Sequence, residues 1–167
     1  MKLDHLALRV RDRKATARLF VDFFGYLIVD EFHIDFDDGS KASCYALSKP
    51  DDKSQPEIFI SDGEPNSIVG RWVIAHAGGN GGVHHLAWRV DSVQSTMDKF
   101  RHYKMAQFTT DKPIECPGLV QIFTTEHSLT GTIMEFIQRT DKGFCAENIK
   151  KLMESSAPKE NKDGIST

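Results

Sequence analysis

No run in this chain approaches the roughly eighteen consecutive apolar residues that a membrane-spanning helix needs. Nor is there a basic cluster: the net charge is −3 over 167 residues, which argues against a nucleic-acid-binding surface. Cysteine is sparse. Cys44, Cys116 and Cys145 are three in number and lack metal-type spacing, so no disulfide framework is expected. Gly78-Gly79-Asn80-Gly81-Gly82 is glycine-rich, yet no Gly-x-Gly-x-x-Gly turn follows a strand and opens a helix, so this segment reads as a linker. Met1-Lys2-Leu3-Asp4-His5 enters a strand directly and leaves no room for a signal peptide, which points to a reducing cytoplasm. What remains is ordinary: 40% hydrophobic and 27% charged residues. That is enough for one domain over residues 1–155. Residues 156–167 have few large apolar side chains and are expected to be disordered.

What is present is a repeat. His5-Leu6-Ala7-Leu8-Arg9-Val10 returns eighty residues later as His85-Leu86-Ala87-Trp88-Arg89-Val90. The first copy opens a strand over Lys2–Val10, and a helix follows over Lys14–Phe24, capped by Asp12 and closed by Gly25. Two strands joined at Asp37-Asp38-Gly39-Ser40 come next, and then a short strand over Glu57–Ser61. The second copy opens Val83–Val90, then a helix over Ser92–Tyr103, and strands near Ala106–Thr110, Leu119–Thr125 and Thr132–Gln138. A short helix at Ile68–His76 lies between the units and another, Ala146–Ser155, follows them. The chain is thus an α+β protein of two β-α-β-β-β units (about 1–61 and 83–139). Each unit would bury its apolar face with the help of the other, and their eight strands would form one cup-like mixed sheet.

Side chains alternate between the faces of a strand. Leu6, Leu8 and Val10 therefore face the helices with Leu86, Trp88 and Val90. His5, Ala7 and Arg9 share the opposite side, as do His85, Ala87 and Arg89. By the same alternation His84 falls on the helix side or the rim, and His33, His76, His102 and His127 read as surface residues. Glu135 is a lone acid within Ile133-Met134-Glu135-Phe136-Ile137, a costly placement unless it is paired, protonated or metal-bound. Arg9, Arg89 or Arg139 could pair with it. Alternatively, His5, His85 and Glu135 have the composition of a two-histidine, one-carboxylate triad, which suits non-haem Fe(II) and leaves positions open for substrate and dioxygen.

Paired β-α-β-β-β units with a histidine on the first strand of each, and a glutamate on the last strand, resemble the vicinal oxygen chelate superfamily of glyoxalases, epimerases and dioxygenases. Within it the chain is most similar to the catalytic C-terminal domain of 4-hydroxyphenylpyruvate dioxygenase. The similarity is carried by Gly81-Gly82-Val83-His84-His85-Leu86-Ala87, Leu119-Val120-Gln121-Ile122-Phe123-Thr124, Ile133-Met134-Glu135-Phe136-Ile137-Gln138-Arg139 and Gly143-Phe144-Cys145-Ala146-Glu147-Asn148-Ile149. The resemblance implies a metal held by His5, His85 and Glu135, most simply Fe(II), in an oxygenase acting on a small 2-oxo acid or similar chelating substrate. It implies Gln121 as a catalytic and substrate-wall residue, with Phe123, Phe144 and Asn148 also lining the substrate. Residues 143–155 would form a lid helix. This chain departs from that family at His84, where the family has glutamine, at Ile149, where it has a lid phenylalanine, and in the segment Glu64–Arg71.

Glu57 opens a second possibility. Glyoxalases and epimerases place a ligand on the fourth strand of the first unit. An inward Glu57 would complete a four-ligand site for Zn, Ni, Co or Mn and catalyse proton transfer in a lyase or isomerase. A third possibility is a metal-free small-molecule binder of the same fold. The superfamily resemblance also raises homodimerisation.

Overall fold

The computed structural model describes residues 1–140 and 144–157. The first unit comprises β1 (Lys2–Val10), α1 (Arg13–Phe24), β2 (Leu27–Asp35), β3 (Lys41–Ser48) and β4 (Glu57–Gly63). The connection carries α2 (Ile68–Ala75) and a 3-10 turn at Ala77–Gly79. The second unit comprises β5 (Gly81–Arg89), α3 (Val93–His102), β6 (Ile114–Cys116), β7 (Leu119–Phe123) and β8 (Ile133–Arg139), followed by α4 (Ala146–Ser155). All eight strands join one curled mixed sheet in the order β2-β3-β4-β1-β5-β8-β7-β6. The repeated strands β1 and β5 pair antiparallel at its centre, and each is flanked by a parallel partner, β4 and β8. The expected α+β architecture is the observed one. Expectations for residues 141–143, and for the tail from residue 158, lie outside the described residues.

Local chemistry explains the helices. Asp12 Oδ1 accepts the Ala15 N–H at 2.9 Å and starts α1, while Gly25, at φ 69°, ends it in the left-handed conformation. Ser92 does for α3 what Asp12 does for α1, accepting the Ser95 N–H at 3.2 Å. The apolar stripe of α1 (Ala17, Phe20, Val21) packs on Leu6, Leu8, Val10, Ile58 and Ile60. The stripe of α3 (Val93, Met97, Phe100) packs on Trp88, Val90, Ile122 and Phe136. These clusters fill the convex side. The concave side is packed as well, because α2 and α4 lie across it and bring Val69, Ile149 and Met153 against Ala7, Phe59 and Ala46.

One strand is misplaced by the sequence. Ala106–Thr110 contributes only an isolated bridge between Phe108 and Thr124. The strand beside β7 is β6, returned by the tight turn at Pro117-Gly118, where Gly118 has φ 82°. The Phe108 side chain instead packs into the α3 cluster, and the Arg101 guanidinium lies 5.6 Å above its ring.

The central pairing has two irregularities. Leu3 pairs with Trp88 and His5 with Ala87, so Asp4 is an extra residue in β1. Ala7 pairs with His85 and Leu8 with Val83, so His84 is an extra residue in β5. These are β-bulges, and they occupy equivalent positions in the two units, each one residue before the repeated histidine. A bulge suspends the alternation of faces. Asp4 and His84 therefore join the concave side with the histidines that follow them, and the expected placement of His84 on the helix side or rim is corrected on this ground. Just beyond, Gly81 has φ 77°, and a Cβ there would stand 2.1 Å from the Arg9 carbonyl oxygen. Only glycine lets β5 begin this close to β1.

Candidate metal centre

Three side chains converge at the centre of the cup. His5 Nε2 and His85 Nε2 are 3.3 Å apart, and each lies 3.2 Å from Glu135 Oε2. Donors bound about 2.1 Å from one first-row metal ion and at right angles lie about 3 Å from one another. The observed triangle has that size. Glu135 is fully buried, and neither of its oxygens has a hydrogen-bond donor among the described residues. Such a carboxylate is held by charge alone, which is what a cation between it and the two imidazoles would satisfy. It reaches the centre because β8 runs parallel to β5 and places Glu135 beside Ala87, two residues on from His85.

The bulged residues orient the imidazoles. His5 Nδ1 lies 3.0 Å from Asp4 Oδ1. A carboxylate only accepts, so Nδ1 carries a proton, and Nε2 is the ring atom turned to the centre, where a bound cation would take the place of its proton. Asp4 is fixed in turn by Arg89 Nη2 at 2.7 Å and Arg139 Nε at 3.3 Å. In the other half, His85 Nδ1 lies 2.8 Å from His84 Nδ1. With the His85 Nε2 lone pair turned inward, His85 Nδ1–H donates to His84, whose own proton then sits on Nε2. That buried Nε2 has no partner among the described residues.

The electrostatics follow from burial and neighbours. Burial alone would raise the Asp4 pKa, but the His5 hydrogen bond and the Arg139 charge hold it at about 2. Burial works against charge on His5, yet Glu135 and Asp4 raise it to about 9. Burial likewise opposes charge on Glu135, and His5 and His85 outweigh it and bring its pKa to about 2. Burial depresses His85 to about 4 and pushes His84 well below its usual value, with Arg9 adding to the latter. The metal-free centre is therefore a buried ion pair beside two neutral imidazoles.

The surrounding wall is apolar. Phe123 packs on His85 with ring centroids 4.7 Å apart, and Phe144 meets His5 at 5.5 Å and Phe59 at 4.9 Å. With Ile149, Leu152 and Met153 of α4 they enclose a cavity of about 50 Å³ over the three donors. Gln121 is buried on β7, but it is absent from the cavity lining. Its Nε2 donates to Asn148 Oδ1 at 2.5 Å and so ties the sheet to α4.

Glu57 is not brought to the cluster. It stands beside His5 in the β1–β4 pairing, yet its Oε2 accepts from Arg139 Nη2 at 2.9 Å, in a polar groove with Asp4, Arg89 and Lys53. The β4 side chains that face the cavity over the three donors are Phe59 and Ser61. Sequence reasoning missed Asp4 altogether, because strict alternation assigns it to the other face.

The sequence profile of the Glyoxalase/Bleomycin resistance protein/Dioxygenase superfamily matches residues 4–115. No curated protein sequence matches the chain. Among solved structures the fold is similar to a methylmalonyl-CoA epimerase, with TM-score 0.66 and 20% identity over 84% of this chain and 97% of that one. It is similar to the Mycobacterium tuberculosis methylmalonyl-CoA epimerase, with TM-score 0.64 and 18% identity over 83% of this chain and 88% of that one. It is also similar to a mutant of 4-hydroxymandelate synthase from Streptomyces coelicolor, with TM-score 0.76 and 19% identity over 92% of this chain and 53% of that one. At these identities the structural likeness establishes the fold alone. The profile match covers most of the chain, and the chain belongs to the Glyoxalase/Bleomycin resistance protein/Dioxygenase superfamily.

Proposed function

We propose that this protein is a non-haem Fe(II) oxygenase acting on a small chelating 2-oxo acid. The observation that carries the reading is the donor count. Three protein donors converge, while the carboxylate that stands beside His5 in the β1–β4 pairing, Glu57, is engaged by Arg139. His5, His85 and Glu135 would hold the ion, with Asp4 and His84 keeping the two imidazole lone pairs turned inward. Ferrous iron in such a site supplies open coordination positions for a chelating substrate and for dioxygen. Phe123 and Phe144 flank the centre and would bound the organic part of the substrate. The enclosing aromatic and aliphatic side chains exclude water from the reaction. A cavity of about 50 Å³ holds only a few atoms, so α4 would move to admit substrate, acting as a lid released at the Gln121–Asn148 contact. A four-ligand lyase or isomerase would require Glu57 to leave Arg139.

The test is anaerobic loading with Fe(II) followed by a panel of 2-oxo acids. The expected result is one iron per chain, a new visible absorption on adding the matching acid, and oxygen uptake on admitting air. Iron binding with no absorption change and no oxygen uptake across the panel would overturn the oxygenase. A Glu57→Gln variant that loses its metal would favour the four-ligand alternative.

A further inference from the structure

The two units repeat an arginine as well as a histidine, and the two arginines are treated differently. Arg89, four residues after His85, is half exposed and makes a close ion pair with Asp4, the bulged residue of β1. The pseudo-twofold maps Asp4 onto His84 and Arg89 onto Arg9. The residue in the place of Arg9's counter-ion is therefore an imidazole. Arg9 is 3% exposed, and no carboxylate pairs with it among the described residues. Among the described residues its one side-chain hydrogen bond runs from Nη2 to Ser156 Oγ at 3.1 Å. Trp72 is a neighbour of both groups: its ring lies 6.0 Å from the Arg9 guanidinium carbon and 5.2 Å from the His84 ring. Arg9 and His84 both line the metal cavity.

A buried guanidinium without a counter-ion is strongly unfavourable. Near it is a donor with no partner among the described residues, the His84 Nε2–H. A guanidinium without a counter-ion and an unpartnered N–H, on residues that line one cavity, form a receptor for an oxyanion. We propose that Arg9 and His84 bind a carboxylate at the end of the substrate remote from the metal. Arg9 is two same-face steps beyond His5 on β1, about 13 Å along the strand. The side chains lining the cavity between them are mostly apolar. The substrate class is then a small molecule with a chelating 2-oxo acid at one end, a carboxylate at the other and an apolar middle. The identity of the bound molecule as substrate rests on the oxygenase reading; the anion site does not.

The experiment titrates the full, metal-free chain with sodium glutarate and with inorganic phosphate at constant ionic strength, reading tryptophan fluorescence. Saturable binding of glutarate is expected, at least tenfold weaker in Arg9→Met. His84→Asp installs the missing internal carboxylate and is expected to weaken glutarate binding by a similar factor while the fold, read by circular dichroism, is kept. Arg9→Lys is expected to retain part of the affinity. Arg9→Met is expected to melt at or above the wild-type temperature, since it removes an uncompensated buried charge. Should it fail to fold, His84→Asp and Arg9→Lys decide. Glutarate binding within twofold of wild type in the folded variants, or no saturable binding to wild type, would overturn the site. Phosphate binding tighter than glutarate would replace the carboxylate by a phosphoryl group and overturn the substrate class. A parallel Co(II) titration separates the two inferences: failure to bind Co(II) sinks the metal reading and leaves the glutarate result standing.

Discussion

Each imidazole at the centre of the cup depends on one neighbour for its orientation, so single substitutions there have graded consequences. Glu135→Ala is expected to weaken Co(II) affinity by more than about 100-fold, and Asp4→Ala by about 10–100-fold, because Asp4 sets the His5 tautomer without touching the metal position. Glu57→Gln is expected to stay within about threefold of wild type, since its partner is Arg139. Competition titration against a chromophoric chelator measures all three, and equal losses for Asp4→Ala and Glu57→Gln would refute the ordering. The cysteines make a separate case. Burial pushes the Cys44 thiol up to about 11, while Cys145 is exposed. Alkylation needs the thiolate. At pH 8 the folded protein is expected to take iodoacetamide at Cys145 and to leave Cys44 unmodified until denaturant is added, as peptide mass spectrometry will report. Rapid modification of Cys44 in the folded state would contradict its burial.

Among the elements, α4 has the most to decide. It covers the cavity through Ile149, Leu152 and Met153, and among its polar ties are the buried contact between Gln121 and Asn148, the Arg9–Ser156 hydrogen bond at its end and the exposed Lys150–Asp37 pair. Gln121 Oε1 and Asn148 Nδ2 have no partner among the described residues, so the tie is only half satisfied. A helix held this way over a site is suited to local opening. Asn148→Ala would leave a buried Gln121 amide unsatisfied, a penalty of about 1–3 kcal/mol that falls mainly on the closed position of α4. Hydrogen exchange over residues 146–155 is expected to speed up by about 5-fold or more, while exchange in β1 and β5 stays as in wild type. Uniform acceleration across the sheet would mean that α4 belongs to the global folding unit and does not open on its own.

For the molecule as a whole, the candidate metal position lies across the seam between the units, with His5 on β1 of one and His85 and Glu135 on β5 and β8 of the other. An ion bound there would add to what already joins the two halves: backbone hydrogen bonds, apolar packing, and the ion pairs of Asp4 with Arg89 and Arg139 and of Glu57 with Arg139. At a free metal concentration about a thousandfold above its dissociation constant, the folded state gains about 4 kcal/mol. Calorimetry is expected to show a higher melting temperature with Co(II) or Zn(II), reversed by a chelator and absent in His85→Ala. A metal-independent melting temperature in the wild type would remove the ion from the seam.

Much of this organisation was legible in the chain alone. The duplicated strand, its helix caps and the lone acid of β8 are local signals, each written in a few adjacent residues, and they carried the eight-stranded cup and the three side chains that converge in it. Ala106–Thr110 shows where local signals stop, because which segment takes the edge beside β7 was settled by the turn at Gly118 and the packing of Phe108. The bulges at Asp4 and His84 were illegible for a physical reason. A two-residue period says which face a side chain takes only while pairing stays in register, and register belongs to both strands at once. The same holds for Glu57, whose proximity to His5 follows from the strand order but whose side chain was claimed by Arg139, a residue distant in sequence. The sequence by itself determined the fold and the donors of the centre. Tertiary structure decided how many donors gather there and which arginine has no counter-ion among the described residues, because charge pairing is settled by contacts between units that no single segment contains.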